Sequence, residues 1–350
     1  MLKVLLAILV LAGLVRLIDL QKIITAAASA NPYLIAAGVA LLPFNLFFEA
    51  LLWHRLLREL DAKAPFPRSF ASLLVGNTLG AFTPVRAGEW AGRALYLPLP
   101  DKWQLALMTV AHRIMDLTVV LVMGTAALTF FRAEVAVPHD TVWFGFTLLG
   151  LVLSSLLLLI VLLPRRAFAV LSRIIRKEER RRHISFLRIL TTRSAGVLLF
   201  LAWLRYLVYT GQFLLLIFAF APHAPLLTGY AAVALVMYAK FIIPPVTFSD
   251  IGIREGASVF FFGLLGVGGA YAFDASILIF CINLLLPACI GFPLVMRLRL
   301  HRGDSSSTSQ GAPDETLSGA SAVPSGHAGR LDHAERIQLP SLQPRIESRA

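Results

Sequence analysis

The sequence predicts an all-α polytopic membrane protein with about six transmembrane helices and two broken helical segments. Of the 350 residues, 57% are hydrophobic and 15% are charged, whereas soluble domains have about 45–50% and about 25%. Several apolar runs reach the roughly 18–20 residues that a helix needs to cross a bilayer. Two further apolar stretches contain proline, which cannot donate to the hydrogen-bond ladder of a helix. Together these observations favour an integral membrane protein over a soluble one.

Six apolar segments are expected to be continuous membrane-spanning helices. They cover residues 4–20, 33–53, 105–131, 142–163, 195–220 and 270–296. The two interrupted stretches are residues 70–97, with a break near Thr83 and Pro84, and residues 230–265, with a break at Pro244 and Pro245. The first segment also resembles a signal peptide, but Arg16 and Asp19 directly after its apolar run favour a retained helix.

Basic residues are distributed unevenly among the loops. Residues 54–68 hold four of them and residues 164–193 hold ten, whereas residues 21–32 and 132–140 hold one each and residues 221–228 hold none. Because basic loops stay on the cytoplasmic side of a membrane, we expect the first two loops to be cytoplasmic and the other three to be external.

This orientation constrains the two broken stretches. Residues 70–97 must begin and end inside, and residues 230–265 must begin and end outside, so that the last span finishes on the basic, cytoplasmic side. Each stretch is then a re-entrant hairpin, and the two enter the membrane from opposite faces as an inverted repeat. Paired broken segments of this kind indicate the binding site of a transporter. The alternative is that each stretch is a kinked helix that crosses the membrane.

The net charge of +12 does not indicate a nucleic-acid-binding protein, because the basic residues cluster in particular loops, as membrane topology requires. Residues 1–300 form the predicted membrane domain, with both termini cytoplasmic. Residues 301–350 are rich in Ser, Gly and Pro, and we expect a disordered cytoplasmic tail. Residues 165–190 mix basic and apolar side chains, which fits either an amphipathic helix on the inner leaflet or a solvated loop. No spacing of Cys and His indicates a metal site, and no cofactor motif is present.

The first broken stretch contains the charged motif "GNTLGAFTPVRAGEWAGR", residues 76–93. Thr83 and Pro84 have the pattern of a helix start, with a capping hydroxyl before a proline at the first helical position. Arg86 is then expected in the first turn, with Glu89 and Arg93 on the same helix face. Gly88 and Gly92 are spaced to let another helix approach closely.

These features together predict an anion site. The start of a helix carries unpaired N–H groups and partial positive charge, and the guanidinium groups of Arg86 and Arg93 suit phosphate. An anionic lipid headgroup fits this pattern better than a metal ion or a neutral sugar. The structural alternative is that Glu89 pairs with Arg93 and only holds the hairpin together.

Two further motifs carry charge within apolar sequence. In "AHRIMDL", Arg113 and Asp116 lie three residues apart, so they form an internal ion pair, contact the substrate, or do both; His112 is expected to be incidental. In "YAKFIIPPVTFSDIGIREGA", residues 238–257, Ser249 or Asp250 is expected to cap a helix. The charged and breaking residues of this motif are Lys240, Pro244, Pro245, Gly252, Arg254 and Glu255.

These three motifs, in this order, resemble the lysylphosphatidylglycerol synthase transmembrane, or flippase-like, family over residues 4–299. The matching positions are Asn77, Pro84, Arg86, Gly88, Glu89 and Arg93, then Arg113 and Asp116, then Pro244, Gly252, Arg254 and Glu255. The resemblance implies a plasma-membrane protein that translocates lipids through two opposed hairpins. Two-domain members carry a soluble aminoacyltransferase domain; a tail stands in its place here, so we expect no lysyl transfer. Polyprenyl-linked or hopanoid-like lipids are then alternative substrates.

We therefore expect a protein that moves an amphipathic lipid between leaflets without a cofactor. Arg86, Arg93 and Arg254 are expected to bind the headgroup. Glu89, Asp116 and Glu255 are expected to orient these arginines or to exchange protons. Two other classes stay open: a membrane enzyme that acts on lipid-linked substrates, and a non-transporting scaffold that binds enzymes of envelope lipid synthesis.

Overall fold

A computed structural model describes residue 16 and residues 18–59, 65–81, 83, 86–97, 102–135, 140–174, 191–243 and 252–307. Within these ranges the regular structure is helical and contains no strand. The helices are α1 (Leu20–Ala28), α2 (Pro32–Ala40), α3 (Leu42–Glu59), α4 (Phe66–Ala81), α5 (Ala87–Tyr96), α6 (Lys102–Glu134), α7 (Asp140–Leu162), α8 (Pro164–Ile174), α9 (Thr192–Phe220), α10 (Leu226–Ile242), α11 (Ile253–Gly263), α12 (Gly269–Phe280) and, after a π-helical turn (Cys281–Leu285), α13 (Leu286–Ser307).

Among the described residues, five helical segments are long and apolar enough to cross a membrane. They are Pro32–Glu59, Gln104–Glu134, Thr141–Leu162, Thr192–Phe220 and Gly269–Arg297. They coincide with five of the six spans that the sequence predicts. The other predicted span, residues 4–20, lies almost entirely outside the described residues, as does the tail beyond residue 307.

The local sequence explains where these spans begin. The side chain of Asn31 accepts a hydrogen bond from the Tyr33 amide at 3.0 Å, and Pro32 occupies the first position of α2. The side chain of Thr191 likewise caps α9 by accepting from the amide of Ser194 at 3.1 Å. Both are oxygen caps of the kind that satisfy the free N–H groups of a helix start.

Helix α9 forms the centre of the bundle, since it packs on α2, α3, α6, α10 and α12. Its core-facing residues Phe213, Leu216 and Ile217 are completely buried. Helix α7, by contrast, has few buried residues, and its exposed Val, Leu and Phe side chains form a surface suited to lipid.

The break near Thr83 separates two helices, α4 and α5, that pack against each other in antiparallel orientation. Gly76 on α4 faces Gly92 and Arg93 on α5, and Gly80 faces Glu89. Gly88 and Gly92 do allow close approach, as the sequence predicts, and the helix that approaches is the other arm of the same hairpin. A methyl group at Gly92 would lie 2.8 Å from the Gly76 Cα and the Val75 carbonyl.

The second broken stretch also yields two helices, α10 and α11, which pack on each other. Pro84, Pro244 and Pro245 lie outside the described residues. The same order of elements occurs in both halves: a long helix, a helix pair, then another long helix. The first arm of each helix pair contacts a helix of the other half. Helix α10 packs on α6, and the Thr78 hydroxyl of α4 donates to the Ala288 carbonyl of α13 at 3.2 Å.

The basic segment after α7 begins as a helix. Helix α8 follows α7 after a single residue, Leu163, and its basic side chains Arg165, Arg166 and Arg173 are exposed. Residues 175–190, the remainder of the predicted amphipathic segment, lie outside the described residues.

Candidate functional site

Both helix pairs contribute to one cavity of about 110 Å³ within the helical bundle. Five basic side chains and two carboxylates line this cavity. The basic residues are Arg86, Arg113, Arg205, Lys240 and Arg254, and the acidic residues are Glu49 and Asp116. Two amide and two tyrosine side chains add polar surface: Asn45, Asn283, Tyr206 and Tyr209. The remaining wall is apolar and consists of Leu46, Val120, Ala202, Met237, Phe241, Ile279, Phe280 and Leu284.

Arg86 reaches this cavity from the turn between α4 and α5. The sequence places the helix start at Pro84, but α5 begins three residues later, at Ala87, and Arg86 is its N-cap residue with a left-handed φ of 55°. Directly before the helix, the Arg86 amide donates a hydrogen bond to the Thr83 carbonyl at 3.2 Å. The Thr83 hydroxyl still accepts from an amide of α5, that of Gly88 at 2.7 Å.

Glu89 lies behind the cavity wall, 2% exposed, and pairs with three arginines. Its Oε1 accepts from Arg93 Nη2 at 2.6 Å. Its Oε2 accepts from Arg113 Nη2 and lies 3.5 Å from Arg86 Nε. Glu89 is the third residue of α5, where a carboxylate also interacts favourably with the helix dipole. One carboxylate therefore orients the two arginines, Arg86 and Arg113, that face the cavity.

Arg93 is completely buried and does not line the cavity. Its guanidinium carbon lies 4.1 Å from the centre of the Trp53 ring, and its Nη1 lies 3.2 Å from His112 Nδ1. Because arginine has only donors, His112 must accept this hydrogen bond through an unprotonated Nδ1. His112, which the sequence suggests is incidental, is thus a buried partner of Arg93.

Asp116 and Glu49 both pair with Arg205, a basic residue that lies outside the three sequence motifs. Asp116 Oδ2 lies 2.6 Å from Arg205 Nη1 and 3.7 Å from Arg113 Nη1. Glu49 Oε2 lies 3.4 Å from Arg205 Nη2. Asn77 donates to Glu49 at 3.5 Å and accepts from Arg86 Nη2 at 3.1 Å. The interactions form a closed ring of side chains from five helices.

A chain of amides extends from this ring into the helical core. Asn45 accepts from Arg205 Nε at 3.3 Å and donates to Asn283 at 2.5 Å. Asn283 donates to Gln212 at 2.8 Å, and Gln212 donates to the Gly38 carbonyl at 2.7 Å. Asn283 lies in the π-helical turn, a local irregularity that often marks functional sites.

The second helix pair carries a smaller polar cluster. Arg254 Nη2 lies 2.5 Å from Glu255 Oε1, and Arg254 Nε donates to the Ser276 hydroxyl of α12 at 3.2 Å. The other Glu255 oxygen accepts from the Gly252 amide at 2.6 Å. Gly252 is the N-cap of α11 with a positive φ of 95°, and Glu255 is its third residue, so both hairpins place a glutamate at the same helix position.

The structure divides the residues that the sequence singles out into two groups. Arg86, Arg113, Asp116, Lys240 and Arg254 line the cavity. Glu89, Arg93 and Glu255 lie behind it and bind the cavity-lining arginines or each other. The motifs miss five members of the network: Asn45, Glu49, Arg205, Gln212 and Asn283. The signal for two of them is in the sequence, since Glu49 and Arg205 are ionisable residues inside predicted spans.

The arrangement favours an anion over a cation. The charged residues of the cavity wall are predominantly basic, and among packed helices their attraction for an anion is stronger than in bulk water. No group of three or more His, Cys, Asp or Glu side chains suited to a metal ion occurs in the described part of the chain. An amphipathic anion matches a wall that is basic on one side and apolar on the other.

Comparison with known proteins agrees with this architecture at the level of family. No curated protein and no solved structure matches the chain. The family described as "Lysylphosphatidylglycerol synthase TM region" matches residues 1–291. Because the match covers most of the 350 residues, this chain belongs to the family of lysylphosphatidylglycerol synthase transmembrane regions and is a membrane protein.

Proposed function

We propose that the protein binds the anionic headgroup of a membrane lipid in this cavity and moves the lipid between leaflets. The observation that carries the proposal is the cavity wall, where five basic side chains face two carboxylates. Arg86 and Arg113 are the main headgroup ligands in this proposal, because their side chains are 28% and 30% exposed. The apolar part of the wall would pack against the first carbons of the lipid.

In the same proposal, the two helix pairs are re-entrant hairpins that enter from opposite faces. The second arms, α5 and α11, have 10 and 11 residues. A helix of that length extends only about 15 Å, whereas the hydrocarbon core is about 30 Å thick. The short lengths of α5 and α11 therefore support hairpins that turn back within the membrane, rather than helices that cross it completely. The basic residues after α3 and α7 support cytoplasmic termini in the plasma membrane.

The first experiment measures translocation in vesicles that contain the purified protein. Phosphatidylglycerol with a dye on an acyl chain is placed in both leaflets, and dithionite bleaches only the dye in the outer leaflet. Protein that moves lipid exposes the inner pool, so the fluorescence falls further than in protein-free vesicles. We expect Arg86→Ala and Arg113→Ala to abolish this additional loss.

The matched control is Arg193→Ala, an exposed arginine in the first turn of α9, which we expect to translocate as the wild type does. If Arg86→Ala protein, present at equal amount, retained full translocation, Arg86 would not bind the headgroup. If wild-type protein moved no lipid, the transport proposal would fail. A change in the mass of the lipid would instead indicate an enzyme.

A further inference from the structure

We propose that Arg205 is a headgroup ligand that binds a lipid phosphate through the two terminal nitrogens of its guanidinium group. This inference rests on the proposed function and adds a residue outside all three sequence motifs. Arg205 lies on the central helix α9 and lines the cavity with a side chain that is 19% exposed. It is thus accessible from the cavity although it is embedded in the bundle.

The first step of the argument is how firmly Arg205 is oriented. Each of its three nitrogens has one oxygen partner: Nε bonds Asn45 at 3.3 Å, Nη1 bonds Asp116 at 2.6 Å, and Nη2 lies 3.4 Å from Glu49. These partners come from two helices, α3 and α6, which both pack on α9. The plane of the guanidinium group is therefore fixed before any ligand arrives, which lowers the entropic cost of binding.

The second step is how many donors remain. A guanidinium group has five N–H donors. Nε and Nη1 donate to Asn45 and Asp116, and Nη2 forms a longer ion pair with Glu49 at 3.4 Å. One N–H on each terminal nitrogen is left without a partner among the described residues. In this proposal the two remaining donors form the planar fork that matches two oxygens of a phosphate, a geometry that lysine cannot offer.

The third step is a comparison with the other buried arginines. Arg93 is fully buried behind the wall, so a ligand in the cavity does not reach it. Arg254 is only 4% exposed at its side chain and is already paired with Glu255 and Ser276. Arg205 combines an oriented guanidinium group with exposure to the cavity. Tyr209, one helical turn further along α9, lines the same cavity together with Arg254.

The test measures lipid retention rather than transport. Purified full-length protein in detergent is mixed with phosphatidylglycerol, and bound lipid is counted by native mass spectrometry. We expect Arg205→Gln and Arg205→Lys to weaken retention about tenfold or more, the effect of losing a charge-assisted hydrogen bond. Arg193→Gln, on the same helix, serves as the control and is expected to retain lipid normally. Thermal unfolding of each variant shows that it is folded.

Each outcome decides the proposal. Equal loss in the Lys and Gln variants supports bidentate recognition, because Lys keeps the charge and removes the fork. Wild-type retention in Arg205→Lys overturns it. If inorganic phosphate displaces the lipid at a similar concentration, Arg205 is a site for free phosphate, and the proposal that it binds a lipid headgroup is overturned. If Arg205→Lys behaves as wild type while Arg86→Ala fails to translocate, the proposed function stands without this inference; no retention and no transport in the wild type would end both.

Discussion

At the scale of residues, Glu89 holds the positive charge of the site in place. Its two oxygens serve three arginines, and one of these, Arg93, is completely buried. A buried cation that loses its counter-charge is strongly unfavourable in a protein interior, more so than the pair is favourable. We therefore expect the glutamate to stabilise the fold of the hairpin as well as to orient the cavity-lining arginines.

We expect Glu89→Gln to destabilise the protein by about 3–5 kcal/mol, because it leaves Arg93 and Arg113 without their main counter-ion. Thermal unfolding in detergent measures this effect. Glu134→Gln is the control, since Glu134 is exposed at the end of α6. The double variant Glu89→Gln with Arg93→Met should recover part of the loss, because it also removes the fully buried cation. A Glu89→Gln protein as stable as the wild type would contradict the central place given to this carboxylate.

At the scale of elements, the first hairpin depends on backbone-to-backbone contact between α4 and α5. Gly76, Gly88 and Gly92 lie in this contact, and side-chain atoms there would meet backbone atoms of the opposite arm. Backbone atoms cannot move aside as a flexible side chain can, so the spacing between the arms is fixed. This spacing sets the position of Glu89, which faces Gly80, and through it the positions of the arginines.

We expect Gly92→Ala to cost about 1–3 kcal/mol, because the added methyl group overpacks the contact with Gly76 and Val75. The matched control is Gly211→Ala in α9, where a methyl group meets nothing within 4 Å. That control should be unchanged or up to about 1 kcal/mol more stable, since alanine favours a helix. Thermal unfolding of the two variants in parallel is the measurement, and equal stability would show that the hairpin can relax.

At the scale of the whole molecule, the two halves repeat the same elements but do not carry the same chemistry. The glutamate of the first hairpin serves three arginines, whereas that of the second hairpin binds one arginine, the Ser276 hydroxyl and its own helix start. Side-chain exposure differs in the same sense, 28% for Arg86 against 4% for Arg254. If the hairpins enter from opposite faces of the membrane, as proposed, a lipid from one leaflet meets a different charged cluster from a lipid of the other leaflet.

Cysteine accessibility in intact and permeabilised cells tests this orientation. Single cysteines replace Ala87, Pro98, Ala136, Phe248 and Ser305 in a protein that lacks Cys281 and Cys289. We expect Pro98→Cys and Ser305→Cys to react only after permeabilisation and Ala136→Cys to react from outside. Ala87→Cys and Phe248→Cys should react partially and be protected by lipid. Free reaction of Pro98→Cys from outside would mean that α4 and α5 cross the membrane as one span, and the opposed hairpins would be refuted.

The sequence by itself determined the class of the protein, five of its spans and the two broken segments, because apolar length and helix-breaking residues act locally along the chain. It also indicated Arg86, Arg113 and Arg254 through charge in apolar sequence. Only the tertiary structure decided which charged residues reach the cavity. Arg93 and Glu89 share a helix face with Arg86 in the sequence pattern, yet the close packing of α5 on α4 buries both. Arg205 and Glu49 join the site through helix packing across more than 150 residues of chain, a relation that no local pattern contains.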